Sequence, residues 1–185
     1  MTVIYLRHSD DYSEQDSTYE HDARITRRGK SKARRKALLL CKKFGVPKVI
    51  VISPFYRARR TAKEMRSIIE SEFHIRVRVK VDPSLGRFFT AEQRKKPDMR
   101  VDTVNLGAII DSSEQEMLSR IRKHLKKVIT KEYHLKSEVI WCISHGLILK
   151  KMLGILGEKE PEHVEFLESF MLNPKVRLSM KDSRD

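Results

Sequence analysis

The chain has 185 residues, of which 39% are apolar and 35% are charged, and its formal net charge is +14. A chain of this length can bury a core, so we predict a single domain over residues 1–185. Its apolar runs exclude a wholly disordered chain, and none approaches the roughly 20 apolar residues of a membrane helix. The positive charge favours anionic partners.

The first predicted strand, about Thr2 to Arg7, begins with the chain itself. We therefore expect no signal peptide and a cytoplasmic location. A polar loop is predicted from Ser9 to Arg24. Thr26 is the expected N-cap of an amphipathic helix that runs to Phe44 and stops at Gly45. The apolar face of this helix comprises Ala33, Ala37, Leu40, Cys41 and Phe44.

A second strand is predicted over Lys48 to Ile52, and a helix follows from about Phe55 to Glu72. The buried stripe of that helix comprises Ala58, Ala62, Met65 and Ile69. Residues Ile75 to Val81 alternate apolar and basic side chains, which predicts a half-buried strand toward a sheet edge. The stretch Asp82 to Asp111 has no clear period, and we interpret it as a lid or a substrate loop.

The pattern from Ser113 to Glu116 is a capping box, which opens a helix with Met117, Ile121, Leu125 and Val128 on one side. An apolar strand over Glu138 to Ile143 and a helix from His145 to Gly157 follow. The last strand or hairpin is predicted over Phe166 to Leu172 and Val176 to Met180. This alternation of strands and helices predicts a three-layer α/β/α sandwich with a mostly parallel central sheet.

Cys41 and Cys142 are the only cysteines, and both fall at apolar positions. We expect two buried, reduced thiols, since two cysteines without paired spacing make neither a disulfide framework nor a zinc site. The cysteines thus predict no zinc site, and no cofactor is assigned to the chain.

The stretch Arg24 to Lys43 contains ten basic residues and no acidic one. It could bind nucleic acid or a membrane surface, or it could be a solvated helix face that keeps the protein soluble. Steering of a phosphorylated substrate toward a pocket lies between these interpretations, and we regard nucleic-acid binding as the less favoured one.

Three predicted strands end at histidines or arginines: the first at Arg7-His8, the second in the run to Arg57, and the strand before His145-Gly146. In an open α/β sheet, ligands bind at the carboxyl ends of strands. Guanidinium groups match the non-bridging oxygens of a phosphoryl group, so such a convergence predicts a phosphate pocket.

Each of these side chains has a specific expected task. Arg7 and Arg57 grip the phosphoryl oxygens, and His8 is the nucleophile that forms a phosphoimidazole intermediate. The nucleophile needs one ring nitrogen unprotonated and the other fixed by a hydrogen bond. His145 is expected to donate to the phosphoryl oxygens, with the backbone N–H of Gly146 as a further donor. The other histidines are predicted to be surface residues: His21, His74, His124, His134 and His163.

Four motifs occur in order: Arg-His-Ser at Arg7–Ser9, Ile-Thr-x-x-Gly at Ile25–Gly29, Ser-x-x-x-Arg-Ala-x-x-Thr-Ala at Ser53–Ala62, and Ser-His-Gly at Ser144–Gly146. In this order and spacing they resemble the histidine phosphatase superfamily, also called the phosphoglycerate mutase-like superfamily. The helix from Ser113, which contains Arg120, is similar to a further family element. The resemblance runs from Val3 to about Leu156, and weakly to the region of Asn173.

The resemblance implies a phosphate pocket of Arg7, His8, Arg57 and His145, with His8 phosphorylated and no metal. Water then resolves the phosphohistidine, unless a second substrate accepts the group as in mutases.

The chain departs from the family pattern at two positions. Ser9 replaces the usual glycine, where a side chain could crowd the pocket, add a hydrogen bond, or be strained if the backbone needs a positive φ. Arg87 stands where many members have a glutamate that protonates the leaving oxygen, and an arginine cannot do so. Asp10, Asp11, Asp82 or Glu92 could substitute as the acid, and Arg87 could instead bind a second anionic group of the substrate.

The leading hypothesis is a metal-independent phosphatase acting on small phosphomonoesters or phosphorylated protein side chains. A non-catalytic module that uses the same pocket to hold a phosphorylated partner or nucleic acid is the alternative. A mutase ranks lower because the stretch from Arg87 to Asp111 is short. The sequence does not indicate an oligomeric state.

Overall fold

The computed structural model describes residues 2–12, 24–86, 113–129 and 139–172. The strands are β1 (Thr2–Arg7), β2 (Val49–Ile52), β3 (Arg78–Val81), β4 (Val139–Ser144) and β5 (Ser169–Leu172). The helices are α1 (Arg27–Phe44), α2 (Tyr56–Phe73), α3 (Glu114–Ile129) and α4 (Gly146–Ile155), and a short 3-10 turn covers Pro83–Leu85. Each predicted element within the described ranges is thus present, with bounds shifted by a few residues at most.

The strands of the described residues form one sheet in the order β3-β2-β4-β1-β5. Neighbouring strands from β3 to β1 run parallel, and β5 alone pairs antiparallel, with β1. The prediction of a mostly parallel sheet is confirmed. β4 lies at the centre, and all six of its residues are buried, as expected for a strand covered on both faces.

Alternate residues of each central strand pack against different helices. Ile4 and Leu6 of β1 join a core cluster with the buried sides of α1 and α2. Val3 and Tyr5 face the other way, into a second cluster with α3 and α4. Because successive side chains of a strand point to opposite faces, this division makes three layers and confirms the predicted α/β/α sandwich.

Local sequence signals set the ends of α1. The Thr26 hydroxyl accepts a hydrogen bond from the Gly29 N–H at 2.8 Å, which caps the first turn. Gly45 ends the helix at φ 89°, and its N–H donates to the Cys41 carbonyl at 2.9 Å. A positive φ favours glycine, so this residue fixes the point at which the chain turns toward β2.

The edge strand β3 differs from its prediction. It covers Arg78–Val81 only, and all four residues are exposed, with Val81 half exposed. Of the alternating apolar residues, Val77 is buried just before the strand begins. The predicted edge position is confirmed, since β3 is the outermost strand of the sheet, but residues 78–81 are exposed rather than half-buried.

Both cysteines are buried and free, as predicted. Burial raises the pKa of the Cys41 thiol to about 11. The pKa of Cys142, which is fully enclosed within β4, is also raised by burial.

The predicted strand over residues 176–180 and most of the two predicted loops lie outside the described residues. Among the described helices, none is long and apolar enough to cross a membrane.

Strand register places the predicted site at one edge of the sheet. Arg7 pairs with Ser144 across β1 and β4, and Ile52 pairs with Ile143 across β2 and β4. The residue that follows each of these three strands therefore lies beside the residues that follow the neighbouring strands. The parallel ladder continues one step beyond the strands, since the His8 N–H donates to Ser144 O at 3.0 Å.

Candidate active site

The carboxyl ends of the parallel strands open into a pocket of about 480 Å³. All four side chains predicted to hold phosphate line it: Arg7, His8, Arg57 and His145. His8 and His145 are 5.2 Å apart between ring centroids, and each is 3% exposed. The spatial convergence that the sequence predicted is present in the structure, although residues 8 and 145 are far apart in the chain.

The His8 ring is held in one tautomer. Its Nδ1 lies 3.0 Å from the Ser9 backbone oxygen. A carbonyl oxygen can only accept a hydrogen bond, so Nδ1 carries the proton and the lone pair of the neutral ring is on Nε2. This is the protonation pattern that a nucleophilic histidine requires, with one nitrogen fixed and the other free of a proton.

His145 is held from two sides. Arg57 Nε donates to its Nδ1 at 3.3 Å, and its Nε2 lies 2.8 Å from the Ser53 hydroxyl oxygen. Because a guanidinium can only donate, Nδ1 accepts in this arrangement and Nε2 carries the proton. The predicted role of His145 as a donor to phosphate needs a proton on Nδ1 as well. A dianionic group at this end of the pocket favours that protonated form.

Arg7 is fixed by the segment that leads into β5. Its Nη1 donates to the Val164 carbonyl at 2.6 Å and contacts His163 Nε2 at 3.0 Å. The guanidinium carbon lies 3.9 Å from the centre of the Phe166 ring, a cation–π geometry. Gly146 begins α4 beside this arginine, since a Cβ there would lie 3.6 Å from Arg7 atoms.

Ser9 fits the site without strain. Its φ is not positive, because the described non-glycine residues with positive φ are His74 and Leu167. The Ser9 hydroxyl donates to Gly29 O at 2.7 Å, away from the phosphate pocket, which it does not line. Of the three predicted consequences of this departure from the family, the extra hydrogen bond is the one observed.

Three of the four candidate acids fall within the described residues, and they lie in different places. Asp10 pairs with Lys32 at 2.6 Å and does not line the pocket. Asp82 pairs with His124 at 2.8 Å and also lies away from the pocket. Asp11 does line it. Glu92 and Arg87 lie outside the described residues, so the role predicted for Arg87 stays a prediction.

Asp11 lies beside His8, the predicted nucleophile. Its Oδ2 is 3.6 Å from His8 Nδ1 and 3.7 Å from Arg57 Nε, and its side chain is 1% exposed. The carboxylate therefore contacts one predicted catalytic residue and one predicted phosphate ligand at the same time. Sequence reasoning named Asp11 only as one of several acids, because spacing along the chain does not show which side of the ring it approaches.

The prediction that His124 is a surface residue was wrong. It is completely buried, with Nδ1 2.8 Å from Asp82 Oδ2 and Nε2 3.0 Å from the Tyr5 hydroxyl. The signal was present in the sequence, since position 124 lies on the apolar side of α3 between Ile121 and Val128. Of the other histidines within the described ranges, His74 and His163 are exposed as predicted.

The far wall of the pocket was not predicted at all. It comes from α4 and the segment after it, which contribute Leu147, Lys150, Glu162, His163 and Val164. These residues lack a recognisable motif, and their position depends on how the chain returns from α4 to the edge of β1.

Among the described residues, no group of three His, Cys, Asp or Glu side chains is placed to hold a metal ion.

Comparison with solved structures shows the same fold in several phosphatases. The alpha-ribazole phosphatase of Shigella flexneri is 18% identical over 94% of this chain and 90% of its own, with a TM-score of 0.65. A mycobacterial glucosyl-3-phosphoglycerate phosphatase is 16% identical over 93% and 89%, with a TM-score of 0.64. The protein histidine phosphatase SixA, complexed with tungstate, is 17% identical over 94% and 97%, with a TM-score of 0.60.

At these identities the structures show a shared fold and leave the reaction of this chain open. A comparison with curated protein sequences found no significant match. The sequence model of the histidine phosphatase superfamily (branch 1), however, matches residues 3–170, which is most of the chain and includes every predicted phosphate ligand. The chain therefore belongs to the histidine phosphatase superfamily.

Proposed function

We propose that this chain is a metal-independent phosphatase that hydrolyses phosphomonoesters, on small molecules or on phosphorylated protein side chains, through a phosphohistidine at His8. The observation that carries the proposal is the hydrogen bond from His8 Nδ1 to Ser9 O, which leaves the lone pair on Nε2 inside a pocket with two arginines. Phosphatase structures with the same fold support it.

The reaction follows from the charges of the pocket. Arg7 and Arg57 bind the non-bridging oxygens, which holds phosphorus next to His8. Nε2 attacks phosphorus as the bond to the leaving oxygen breaks. His145 and the Gly146 N–H at the start of α4 donate to the oxygens as charge redistributes. Water then attacks phosphorus, and the electron pair of the N–P bond returns to Nε2.

Whether a general acid is present on the leaving-group side determines which substrates react fastest. Position 87 is an arginine, and the buried carboxylate in the pocket, Asp11, lies by His8 Nδ1 rather than beyond the phosphoryl site. General acid help is typically worth about 10²–10⁴-fold, so its loss favours substrates whose leaving group needs no proton. We propose phosphoramidates and acyl phosphates as the preferred class, which fits the structural likeness to a protein histidine phosphatase. Arg87 would alternatively bind a second anionic group.

The alternative is a binding module that uses the basic side chains of α1 to hold a phosphorylated partner or nucleic acid. Most of the cations from Arg24 to Lys43 are exposed. Two of them are paired with acidic residues of this chain, Lys32 with Asp10 and Arg34 with Glu64, which reduces the positive charge they present. The intact pocket therefore favours the enzyme, and a cytoplasmic location stays a prediction.

Hydrolysis by wild type and His8→Ala tests the proposal. Phosphohistidine, an aryl phosphate and an alkyl phosphate are offered at equal concentration, and released phosphate is measured. We expect turnover to rise as the leaving-group pKa falls, and we expect His8→Ala to lose all of it. A flat profile across leaving groups would exclude the proposed substrate class. Absence of turnover in both proteins, with DNA or RNA binding that weakens steeply with salt, would favour the binding module.

A further inference from the structure

The Asp11 carboxylate is buried at a place where charge matters to the proposed reaction. Its side chain is 1% exposed, and its Oδ2 lies within 3.7 Å of both His8 Nδ1 and Arg57 Nε. A carboxylate removed from water is unfavourable unless cations or hydrogen-bond donors compensate it. The side chains next to Asp11 Oδ2 are therefore the two that are predicted to attack and to bind phosphate.

The backbone around Asp11 is fixed. Asp11 forms an antiparallel bridge with Ile25, and the Asp10 carbonyl accepts from the Thr26 N–H at 3.0 Å. A Cβ at residue 29 would overlap with the Asp10 carbonyl oxygen, so only glycine fits at Gly29. This close approach holds the segment after β1 against the start of α1, and it places the carboxylate before substrate arrives.

Several charged and titratable groups surround the His8 ring. Asp11, from the segment after β1, lies close to both His8 and Arg57 of α2. The His145 ring approaches from the end of β4, and Arg7 precedes His8 on β1. Phe166 covers it from the segment before β5, with 5.6 Å between ring centroids. Among these neighbours Asp11 is the anion, while the others are cations, neutral rings or a histidine that can gain charge.

We propose that Asp11 is a positioning residue that stabilises the positive charge of the phosphorylated His8 ring and fixes the orientation of Arg57. This inference rests on the proposed function, because it concerns the charge that His8 gains during phosphoryl transfer.

Each bond that breaks in this step is matched by a bond that forms. The Nε2 lone pair forms the N–P bond, the P–O bond to the leaving group breaks, and the leaving oxygen takes that electron pair and a proton from solvent. Nδ1 keeps its proton, so the ring becomes cationic, and this charge lies 3.6 Å from the Asp11 carboxylate. Because the charge is larger in the transition state than in the free enzyme, its stabilisation accelerates the step.

The same geometry separates Asp11 from the role of general acid. In phosphoryl transfer the attacking and leaving atoms are roughly in line, so the leaving oxygen lies on the far side of phosphorus from the ring. Asp11 is next to Nδ1, at the opposite side of the ring from the attacking nitrogen. Its Oδ2 also lies 3.7 Å from Arg57 Nε, on the side of the guanidinium rather than beyond the phosphoryl site.

Three variants test the inference on the full chain: Asp11→Asn, Asp11→Glu and the matched control Asp10→Asn. Asp10 is the adjacent carboxylate, and it pairs with Lys32 outside the pocket. The substrate is an aryl phosphate, and the readouts are the rate of phosphoenzyme formation, KM, and the pH dependence of kcat/KM. Vanadate binding and circular dichroism show that each variant is folded with an intact pocket.

We expect Asp11→Asn to slow phosphoenzyme formation on the order of 10- to 100-fold, the range found for carboxylates that support a metal-ligating histidine. KM changes by less than the rate, because loss of the negative charge favours phosphate binding while the loosened Arg57 opposes it. The acid limb of the kcat/KM profile moves to lower pH, since a nearby carboxylate favours the protonated imidazole and the attacking form is the unprotonated one. Asp11→Glu recovers part of the rate, and Asp10→Asn resembles wild type within about twofold.

Asp11→Asn with the rate and acid limb of wild type, or with losses equal to those of Asp10→Asn, would overturn the inference. A loss that appears only as a raised KM would also overturn it, because it would mean that Asp11 supports binding alone. If Asp11→Asn is unfolded, the comparison of Asp11→Glu with wild type decides by the same readouts. Failure of wild type itself to form a phosphoenzyme is a different result, which contradicts the proposed function instead.

Discussion

Within the described part of the chain there are two buried histidine–carboxylate pairs, one on the α3 side of the sheet and one at the carboxyl ends of its strands, and they differ in what surrounds them. His124 contacts Asp82 and Tyr5 on the α3 side, with 0% of its surface exposed. His8 contacts Asp11 at the edge of the sheet, where a cavity opens next to it. The His124 pair is hydrogen-bonded at 2.8 Å, whereas His8 and Asp11 are 3.6 Å apart and His8 Nδ1 instead donates to Ser9 O.

Access and nearby cations separate the two pairs. Both ring nitrogens of His124 have partners within the core, and the pair does not line the pocket. His8 has one nitrogen fixed by a carbonyl, and Arg7 and Arg57 share its cavity. A buried polar network away from any cavity rigidifies a fold, whereas a titratable side chain that lines a cavity beside two arginines is a candidate for chemistry. We therefore propose that the His124 pair stabilises the fold and that the His8 pair takes part in the reaction.

Glutamine substitution of one histidine from each region gives the largest expected contrast. His145→Gln replaces an imidazole that can become a charged donor to the phosphoryl oxygens with a neutral amide of different reach, and loss of one well-placed donor typically costs about 10²–10³-fold in kcat. His124→Gln should keep most of kcat and lose about 1–3 kcal/mol of unfolding free energy, because it disturbs buried groups on Tyr5 and Asp82. Urea titration and steady-state kinetics on the same samples measure both effects.

The opposite pattern would contradict these two roles. A His124→Gln protein that is as stable as wild type but inactive would make the Asp82 pair part of the chemistry. Normal kcat in His145→Gln would remove His145 from the site.

The structure follows the sequence closely where local signals are strong. Thr26, Gly45 and the apolar stripe of α2 set element ends and faces by short-range capping and periodicity, and the motifs at three strand ends predicted the pocket. Long-range placement was not readable in the same way. Asp11 and the pocket wall at Val164 depend on which segments meet in space, and His124 was misassigned because its charged neighbours in sequence face solvent while its own side chain faces the core.

A smaller effect is expected at the serine that stands where the family usually has glycine. Ser9→Ala removes the hydrogen bond to Gly29 O while the Ser9 N–H to Thr61 bond remains. We expect a loss of about 0.5–1.5 kcal/mol in unfolding free energy and a change of less than about threefold in kcat. Thermal unfolding measures the first and turnover the second. A loss of activity much larger than the loss of stability would show that the hydroxyl acts on the pocket.

The smallest effect concerns the thiols on the two core faces. Burial raises the pKa of Cys41 to about 11 and raises that of Cys142 as well, so both are neutral near pH 8. Alkylation by iodoacetamide in the folded protein should be slow at both, and slower at Cys142, which is fully buried, than at Cys41, which is 5% exposed. Mass spectrometry of digests over time gives both rates. Rapid labelling of Cys142 would mean that β4 opens in the native state.

The most direct test of the central claim is the chemical identity of the phosphoenzyme. Wild type is quenched in alkali during turnover of an aryl phosphate, and the modified residue is mapped by mass spectrometry. We expect a phosphate on His8 that is stable to alkali and lost in acid, as a phosphoramidate bond is, and we expect none in His8→Ala. Phosphate on another residue, or turnover without any phosphorylated intermediate, would contradict the account.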